Sequence, residues 1–365
     1  MARTTSPKPR SKNAADNVAG SDVALAVERE LRAVLFAPPP RLTVSQWADR
    51  YRVLTSEASA TIGQWTSLPF QREMMDVIHD PAIDRVVAMM PSQVSGKTEV
   101  LLNIVGYLVD LEPSPILGVQ PSIEMCNDFS KDRLAPMFRH SSRLRGKLIE
   151  SGRRETNNTL RHKAGPGWHV TLVGSNSPSG LSSRPIRVVL ADEVDRYEAS
   201  AKSEGDPVKL AEARTTTFLD NRITYLTSSP SIKGESRIED EYGKSDRRKW
   251  YVPCPHCEHM QTLEWGGPNE PFGLKWTNDE QGHHPETAEY LCVSCGALID
   301  ESWKGWMNQR GEWRATGAKG HIAGFQMTCL ASPLVMWQSV VQEFLDAKKT
   351  SEQLQVFINT RLAET

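Results

Sequence analysis

Three groups of residues in this 365-residue sequence are of types and spacings that could do chemistry. The first is PSQVSGKT, residues 91–98. Gly96, Lys97 and Thr98 close the phosphate-loop pattern GxxxxGK[ST]. In that pattern inward-turned backbone N–H groups cradle phosphates, the lysine meets the β- and γ-phosphates, and the hydroxyl meets Mg²⁺. Pro91 stands where the pattern has its first glycine, so Pro91, Ser92, Gln93, Val94 and Ser95 would form the cradle's turn. The apolar residues that follow predict a helix whose N-terminus faces the anion. An ordinary strand–loop–helix junction is the alternative, because GKT alone recurs by chance.

The second group is IRVVLADEVDRY, which puts Asp192 and Glu193 at the end of an apolar run. Adjacent carboxylates at a strand's C-terminal end, where open α/β sheets bind their ligands, can divide two tasks. Asp192 would hold Mg²⁺ and Glu193 would polarise an attacking water. A strand end capped by solvated acids is the plain alternative. The next apolar run ends in Thr227, Ser228, Ser229 and Pro230, where helicase-like ATPases carry the motif that couples hydrolysis to movement. The order of the three motifs points to an ATPase that binds ATP with Mg²⁺ through Lys97, Thr98, Asp192 and Glu193.

The third group is cysteine. Four of the six cysteines form two CxxC pairs, Cys254 with Cys257 and Cys292 with Cys295, while Cys126 and Cys329 stand alone. Each pair is a tight turn aiming two thiolates at one ion, and four thiolates make a closed structural Zn²⁺ site. The gap between the pairs is longer than the usual spacing and holds an inserted loop. A redox pair or reduced thiols are the alternatives; with four cysteines available, His256 and His259 read as neighbours of the site.

Positioning these groups takes a sheet. Short apolar runs at residues 84–90, 115–120, 168–174, 186–192 and 222–228 alternate with amphipathic segments. Runs of that kind, with helices between them, predict a mostly parallel sheet covered on both faces. Residues 1–20 read as a disordered tail and 21–60 as an N-terminal helical segment, carrying helical periodicity over 22–36 and stopped by prolines at 38–40. Residues 61–249 form the expected α/β core and 250–300 a zinc-knuckle subdomain. Residues 301–365 form a C-terminal segment with a helix expected over 335–349.

Charge is balanced, 43 Lys+Arg against 45 Asp+Glu, so any nucleic-acid contact must be local. Residues 139–163 hold such a patch, with Arg143, Arg145, Arg153 and Arg154 as the candidate DNA-binding residues; a solvated helix and loop is the alternative. No apolar run is long enough to span a bilayer and the basic start has no apolar stretch behind it, so no membrane role and a cytoplasmic location are expected.

The stretches GSNSPSGLSSRPIRVVLADEVDRY, YVPCPHCEHMQTLEW, GFQM and FINTRLAE resemble the large terminase subunits of tailed phages, lambda-type branch. The resemblance covers roughly residues 42–364. It implies a P-loop ATPase of the additional-strand, catalytic-Glu type, working as a DNA-packaging motor in the host cell cytoplasm. The implied partners are double-stranded DNA, a small terminase subunit, the portal and procapsid, and further copies of the chain on the portal. Carried over by position, Lys97 and Thr98 are phosphate and Mg²⁺ ligands, Asp192 the metal carboxylate, Glu193 the base, and Thr227, Ser228 and Ser229 the coupling motif. Gln71 matches the glutamine that reads the adenine edge, with Trp65 and Phe70 beside the ring. The loop lacks the family's arginine, which leaves Arg184, Arg214 or a neighbouring subunit to supply a finger. A helicase-like or remodelling ATPase, or a non-catalytic DNA- or capsid-binding assembly factor, is the other reading. In the family a two-metal nuclease follows the motor. Asp300, Glu301, Glu312, Glu343, Asp346, Glu352 and Glu364 make no strand-borne cluster, so nuclease activity is expected to be absent from this chain.

Overall fold

The structure is a computed structural model. It describes residues 42–365 apart from 56–61, 149–157, 183 and 268–269, and five earlier residues: Leu25, Val27, Glu28, Arg29 and Leu31. Those five are helical, inside the periodic stretch read from the sequence. The expected disordered tail, the proline run and the basic residues Arg153 and Arg154 lie outside the described residues.

The apolar runs become the strands of one ten-stranded sheet. In chain order its parallel members are β1 (Arg85–Met89), β2 (Pro115–Gln120), β3 (Trp168–Gly174), β4 (Val188–Asp192), β5 (Ile223–Ser228), β6 (Arg248–Pro253) and β7 (Ile322–Gln326). They lie side by side as β6, β7, β1, β5, β4, β2, β3, all parallel. His162–Gly165, Met260–Gln261 and Glu312–Ala315 add antiparallel margins. The order matters for function. β5 is the additional strand, seated between β1, which leads into the phosphate loop, and β4, which ends in the acidic pair. All six residues of β5 and all five of β4 are buried, as central parallel strands require.

The helix after the phosphate loop, α1 (Lys97–Leu111), is buried almost all round, so packing fixes it in place. At Gly106 an added Cβ would sit 2.2 Å from the ring of Trp47, so only glycine allows that close approach. The Trp47 indole donates to Asp110 at 2.9 Å, tying the helix Val44–Tyr51 to the far end of α1.

The segment with the cysteines does not stand apart from the core. The first CxxC turn joins β6 to Met260–Gln261 on the main sheet. The inserted loop is a hairpin, Gly273–Asp279 with Gly282–Leu291, extended by Leu298–Ile299. Leu274, Tyr290 and Ile299 from this small sheet belong to the same apolar cluster as the core under the main sheet. The helix expected in the C-terminal segment spans Trp337–Ala347 and packs on the hairpin, and a further helix, Ser351–Phe357, follows it.

Candidate functional site

Three chain segments meet at the C-terminal ends of β1, β5 and β4. The phosphate loop turns through left-handed backbone at Gln93 (φ 61°) and Gly96 (φ 68°). Side chains at such angles are strained, so glycine suits the position that caps α1. An added Cβ at Gly96 would also lie 2.5 Å from Gln71 Nε2. The loop is held by its own bonds: Ser95 Oγ donates to Pro91 O at 2.8 Å, and Val94 N to Ser92 O at 2.8 Å.

Lys97 is 5% exposed and stands between the other two segments. Its Nζ donates to Ser229 Oγ at 2.9 Å and lies 3.0 Å from Glu193 Oε1. Thr98 Oγ1 donates to Asp192 Oδ2 at 3.2 Å. The structure therefore brings Lys97, Thr98, Asp192, Glu193 and Ser229 together from positions up to 132 residues apart. Burial, reinforced by the neighbouring Glu193 charge, pushes the Asp192 carboxyl up to about 6, against the opposing pull of Lys97, Thr98 and Gln120. The other carboxylate oxygen of Asp192, Oδ1, is buried with no hydrogen-bond partner among the described residues. A buried carboxylate oxygen left over beside a threonine hydroxyl is a donor set that fits a divalent cation. Glu193 adopts left-handed backbone (φ 54°), which turns the chain sharply at the strand end and sends its side chain toward Lys97.

Thr227, Ser228 and Ser229, at the end of β5, are threaded between these groups. Thr227 Oγ1 donates to Ala88 O at 3.3 Å and Ser229 Oγ to Met90 O at 3.0 Å, so the end of β5 grips the strand that carries the phosphate loop. Ser228 Oγ donates to Ser229 O and accepts from Asp195 N.

Gln71 is buried, and its carboxamide is occupied within the chain. Oε1 accepts from Leu68 N at 2.9 Å and Nε2 donates to Ser95 O at 2.9 Å, which braces the phosphate loop from below. Trp65 and Phe70 are buried beside it, Trp65 donating to Ser67 Oγ. Arg214 O accepts from Ile186 N, ahead of β4. Asp192 lies six residues along that strand, roughly 20 Å at about 3.3 Å per residue. Arg214, whose Nη1 donates to Ser182 O at 3.2 Å, and Arg184, which lines a small cavity with Ile186, thus lie toward the end of β4 opposite the site.

Some contributors had no role assigned from the sequence. Ser332 Oγ donates to Val94 O at 2.6 Å, and Thr360 O accepts from Ser92 N at 2.8 Å, so the C-terminal segment touches both sides of the phosphate loop. Ser332 lies in none of the quoted stretches, and Thr360 lies inside FINTRLAE with no task of its own; only the chain's return across the sheet puts them at the loop. Arg52 is buried against Glu99 at 2.7 Å, and Arg133 meets the same carboxylate at 2.9 Å, fixing the first turn of α1.

The four paired cysteines converge, with all their Sγ atoms within 4.8 Å of one another. Cys254 lies 3.9 Å from Cys295, and Cys257 lies 3.9 Å from Cys292. A zinc tetrahedron with ligands at about 2.3 Å has edges of about 3.8 Å, so the cluster fits that ion. Each turn is built alike: His256 N points at Cys254 Sγ and Ser294 N at Cys292 Sγ, both at 3.4 Å. Glu258 and Gly296 close the two turns in left-handed conformation. His256 Nε2 is engaged with Leu298 O, which leaves the sulfurs as the donor set.

In the basic patch, Arg143 and Lys147 both reach the buried Asp110 carboxylate, at 2.9 and 2.7 Å. Arg145 donates to Arg139 O at 3.2 Å.

Comparison with known proteins follows the same lines. Residues 59–313 match the family model of the phage terminase large subunit gpA ATPase domain. Residues 322–365 match that of the terminase large subunit gpA endonuclease domain. The large terminase subunit of Enterobacteria phage P21 is 31% identical, with 91% of this chain and 53% of that protein covered. The large terminase subunit of Escherichia phage lambda is 26% identical, with 91% and 54% covered. The chain thus spans about half the length of these relatives. Among solved structures, the large terminase of bacteriophage HK97 shares the fold, with a TM-score of 0.52 at 12% identity over 88% of this chain and 54% of that one. The second family match overturns the expectation that nuclease activity is absent from this chain. The chain carries sequence of the endonuclease domain and is not a motor without any part of it. The reason is physical. The match begins at Ile322, the first residue of β7, which enters the ATPase sheet between β6 and β1 without a single carboxylate. Such a strand carries no acidic signal of the domain it opens.

Proposed function

The chain belongs to the phage terminase large subunit gpA family, and on that footing we propose that it hydrolyses ATP to drive double-stranded DNA into a viral procapsid. The observation that supports the reading is the meeting of Lys97, Thr98, Asp192, Glu193 and Ser229 at one sheet edge. Thr98 and Asp192 would hold Mg²⁺, which supplies charge neutralisation at the phosphates when bound. Lys97 is the cation that a γ-phosphate would compete for. As the lysine turns toward phosphate, Glu193 Oε1 loses its partner and becomes free to accept a proton from the attacking water. Ser229 also touches Lys97 and is anchored on Met90 O. The same event would therefore be felt by the strand linking the phosphate loop to the acidic pair. Motion along DNA would start from that linkage.

The four-cysteine cluster would hold one Zn²⁺ as a structural brace. Duplex DNA would be met through phosphate contacts from Arg145, Arg153 and Arg154, with Arg143 shared between Asp110 and solvent. A small terminase subunit, the portal and procapsid, and sister copies of the chain complete the proposed machine. A finger arginine would come from one of those copies.

The test is ATP hydrolysis with and without duplex DNA. Glu193→Gln should keep nucleotide binding and lower turnover by about 10²–10⁴-fold, while Lys97→Ala should lose tight binding as well. Turnover by Glu193→Gln at the wild-type rate would remove Glu193 from the role of base.

A further inference from the structure

Two residues beyond the proposed base, Asp195 occupies a position that the motif reading leaves without a task. It lies in the single turn Val194–Arg196 that follows Glu193. Its carboxylate is shared between two places on the segment after the coupling motif. Oδ2 accepts from Ser231 Oγ at 2.8 Å, and Oδ1 accepts from Ile238 N at 2.7 Å. Its own N–H donates to Ser228 Oγ at 3.3 Å. One half-buried residue thus ties the turn carrying Glu193 to the end of β5, to the loop beyond it, and to the first turn of the helix Arg237–Gly243. That helix packs on β1, the strand leading into the phosphate loop. The loop is held from a second side, where Asn359 Nδ2 donates to Ser231 O.

We propose that Asp195 is a positioning residue for hydrolysis, locking the Glu193 turn to the coupling segment so that the base and Ser229 keep their registry with Lys97. The inference rests on the ATPase reading above. Two features carry it. First, Glu193 sits in left-handed backbone, a conformation that persists only when its surroundings impose it. Asp195 supplies that imposition two residues away. Second, the Ile238 amide is one of the helix N-terminal donors that need an acceptor, and Asp195 fills the need across the site rather than from the helix's own chain neighbours. Ser236 caps the same helix locally through Glu239 N. The helix therefore forms without Asp195, and the Asp195 bond serves the link between the segments. Asp195 touches none of the reacting groups; it acts through Glu193 and Ser229.

The experiment compares Asp195→Ala, Asp195→Asn and Ser231→Ala in the full chain. It reads kcat and KM for ATP, affinity for a fluorescent ATP analogue, and amide exchange of residues 229–238. Asp195→Asn can still accept from Ile238 N and donate to Ser231 Oγ, so it should hydrolyse ATP like the wild type. Asp195→Ala should lower kcat by about ten- to a hundredfold, the scale of a misplaced catalytic group. Its nucleotide affinity should stay unchanged and the Ile238 amide should exchange faster. Ser231→Ala, which loses one bond of the pair, should move kcat and exchange in the same direction by less. Wild-type kcat in Asp195→Ala, or a fall in kcat that Asp195→Asn shares, would overturn the proposal. A loss confined to nucleotide affinity would overturn it too. Glu193→Gln separates the two levels. If it abolishes turnover while Asp195→Ala does not, the ATPase reading stands and this inference falls; a wild-type chain that hydrolyses no ATP removes both.

Discussion

Asp192 should make the protein less stable for the sake of its function, and the size of that cost can be worked from the site. The carboxyl is buried beside Glu193, and its pKa is raised from 3.8 to about 6. Between those values the folded chain holds a proton on this group that the unfolded chain has already released. Stability therefore falls as pH rises through this window, and the full cost is present above it. At about 1.4 kcal/mol per pH unit, the charged Asp192 costs the nucleotide-free protein about 3 kcal/mol at pH 8 and almost nothing near pH 4. Asp192→Asn has the same shape without the charge, and its carbonyl can still accept from Thr98 Oγ1. With an unfolding entropy of about 2 cal/mol/K per residue over roughly 320 residues, the variant should melt about 5 °C higher at pH 8. The assay is thermal unfolding in chelator at pH 8 and pH 4, followed by the same melts with Mg²⁺ and a non-hydrolysable nucleotide. The gain should vanish at pH 4. With Mg²⁺ and nucleotide the order should reverse, because only the wild type is stabilised by binding them tightly. A variant no more stable than wild type at pH 8, or equally stabilised at both pH values, would refute the reasoning.

Other outcomes can be read as directly. Freshly purified protein should contain one zinc per chain, and chelation or Cys292→Ser should unfold the hairpin of residues 273–291 while the ATPase sheet keeps its circular dichroism, since site and segment form together; metal-free protein with an ordered hairpin would dismiss the ion. Duplex binding should weaken steeply with salt, and charge reversal at Arg153 and Arg154 should flatten the slope by about two, measured by anisotropy across a salt series. The same reversal at Arg143 should also cost stability, because it breaks the pairing with buried Asp110; an unchanged slope in both variants would take the patch out of DNA binding.

How much of this was legible beforehand differs from element to element. Residues 115–120 and 168–174 were read as strands and are strands over those same limits, because a continuous apolar run bounded by turn residues has no other low-energy place than a covered sheet. The helix expected over 335–349 spans Trp337–Ala347. β6, with the sequence RKWYVP, and β7, with IAGFQ, were not anticipated as sheet members: two basic residues open β6, a glycine interrupts β7, and neither stands out as an apolar run. Pairing partners far along the chain hold them, and periodicity cannot register those. Among the site residues, Gly96-Lys97-Thr98, the Asp192–Glu193 pair and the two CxxC turns carried local signatures, since each needs neighbouring residues of fixed type to shape one turn. Ser332 did not, and Asp195 and Thr360 lay inside quoted stretches without a role that the local sequence could assign.

The sequence by itself therefore determined the chemistry on offer: a phosphate-loop lysine, an acidic pair, four thiols at turn spacing, and a parallel sheet to carry them. Tertiary structure alone decided which of these groups meet. Strand order seats β5 between the phosphate loop and the acidic pair, so Ser229 reaches Lys97 across 132 residues, and it brings the start of the endonuclease match into the ATPase sheet. The physical reason is that a local turn is specified by a handful of adjacent side chains. A contact between distant segments is specified instead by the packing of the whole sheet, which no stretch of sequence expresses alone.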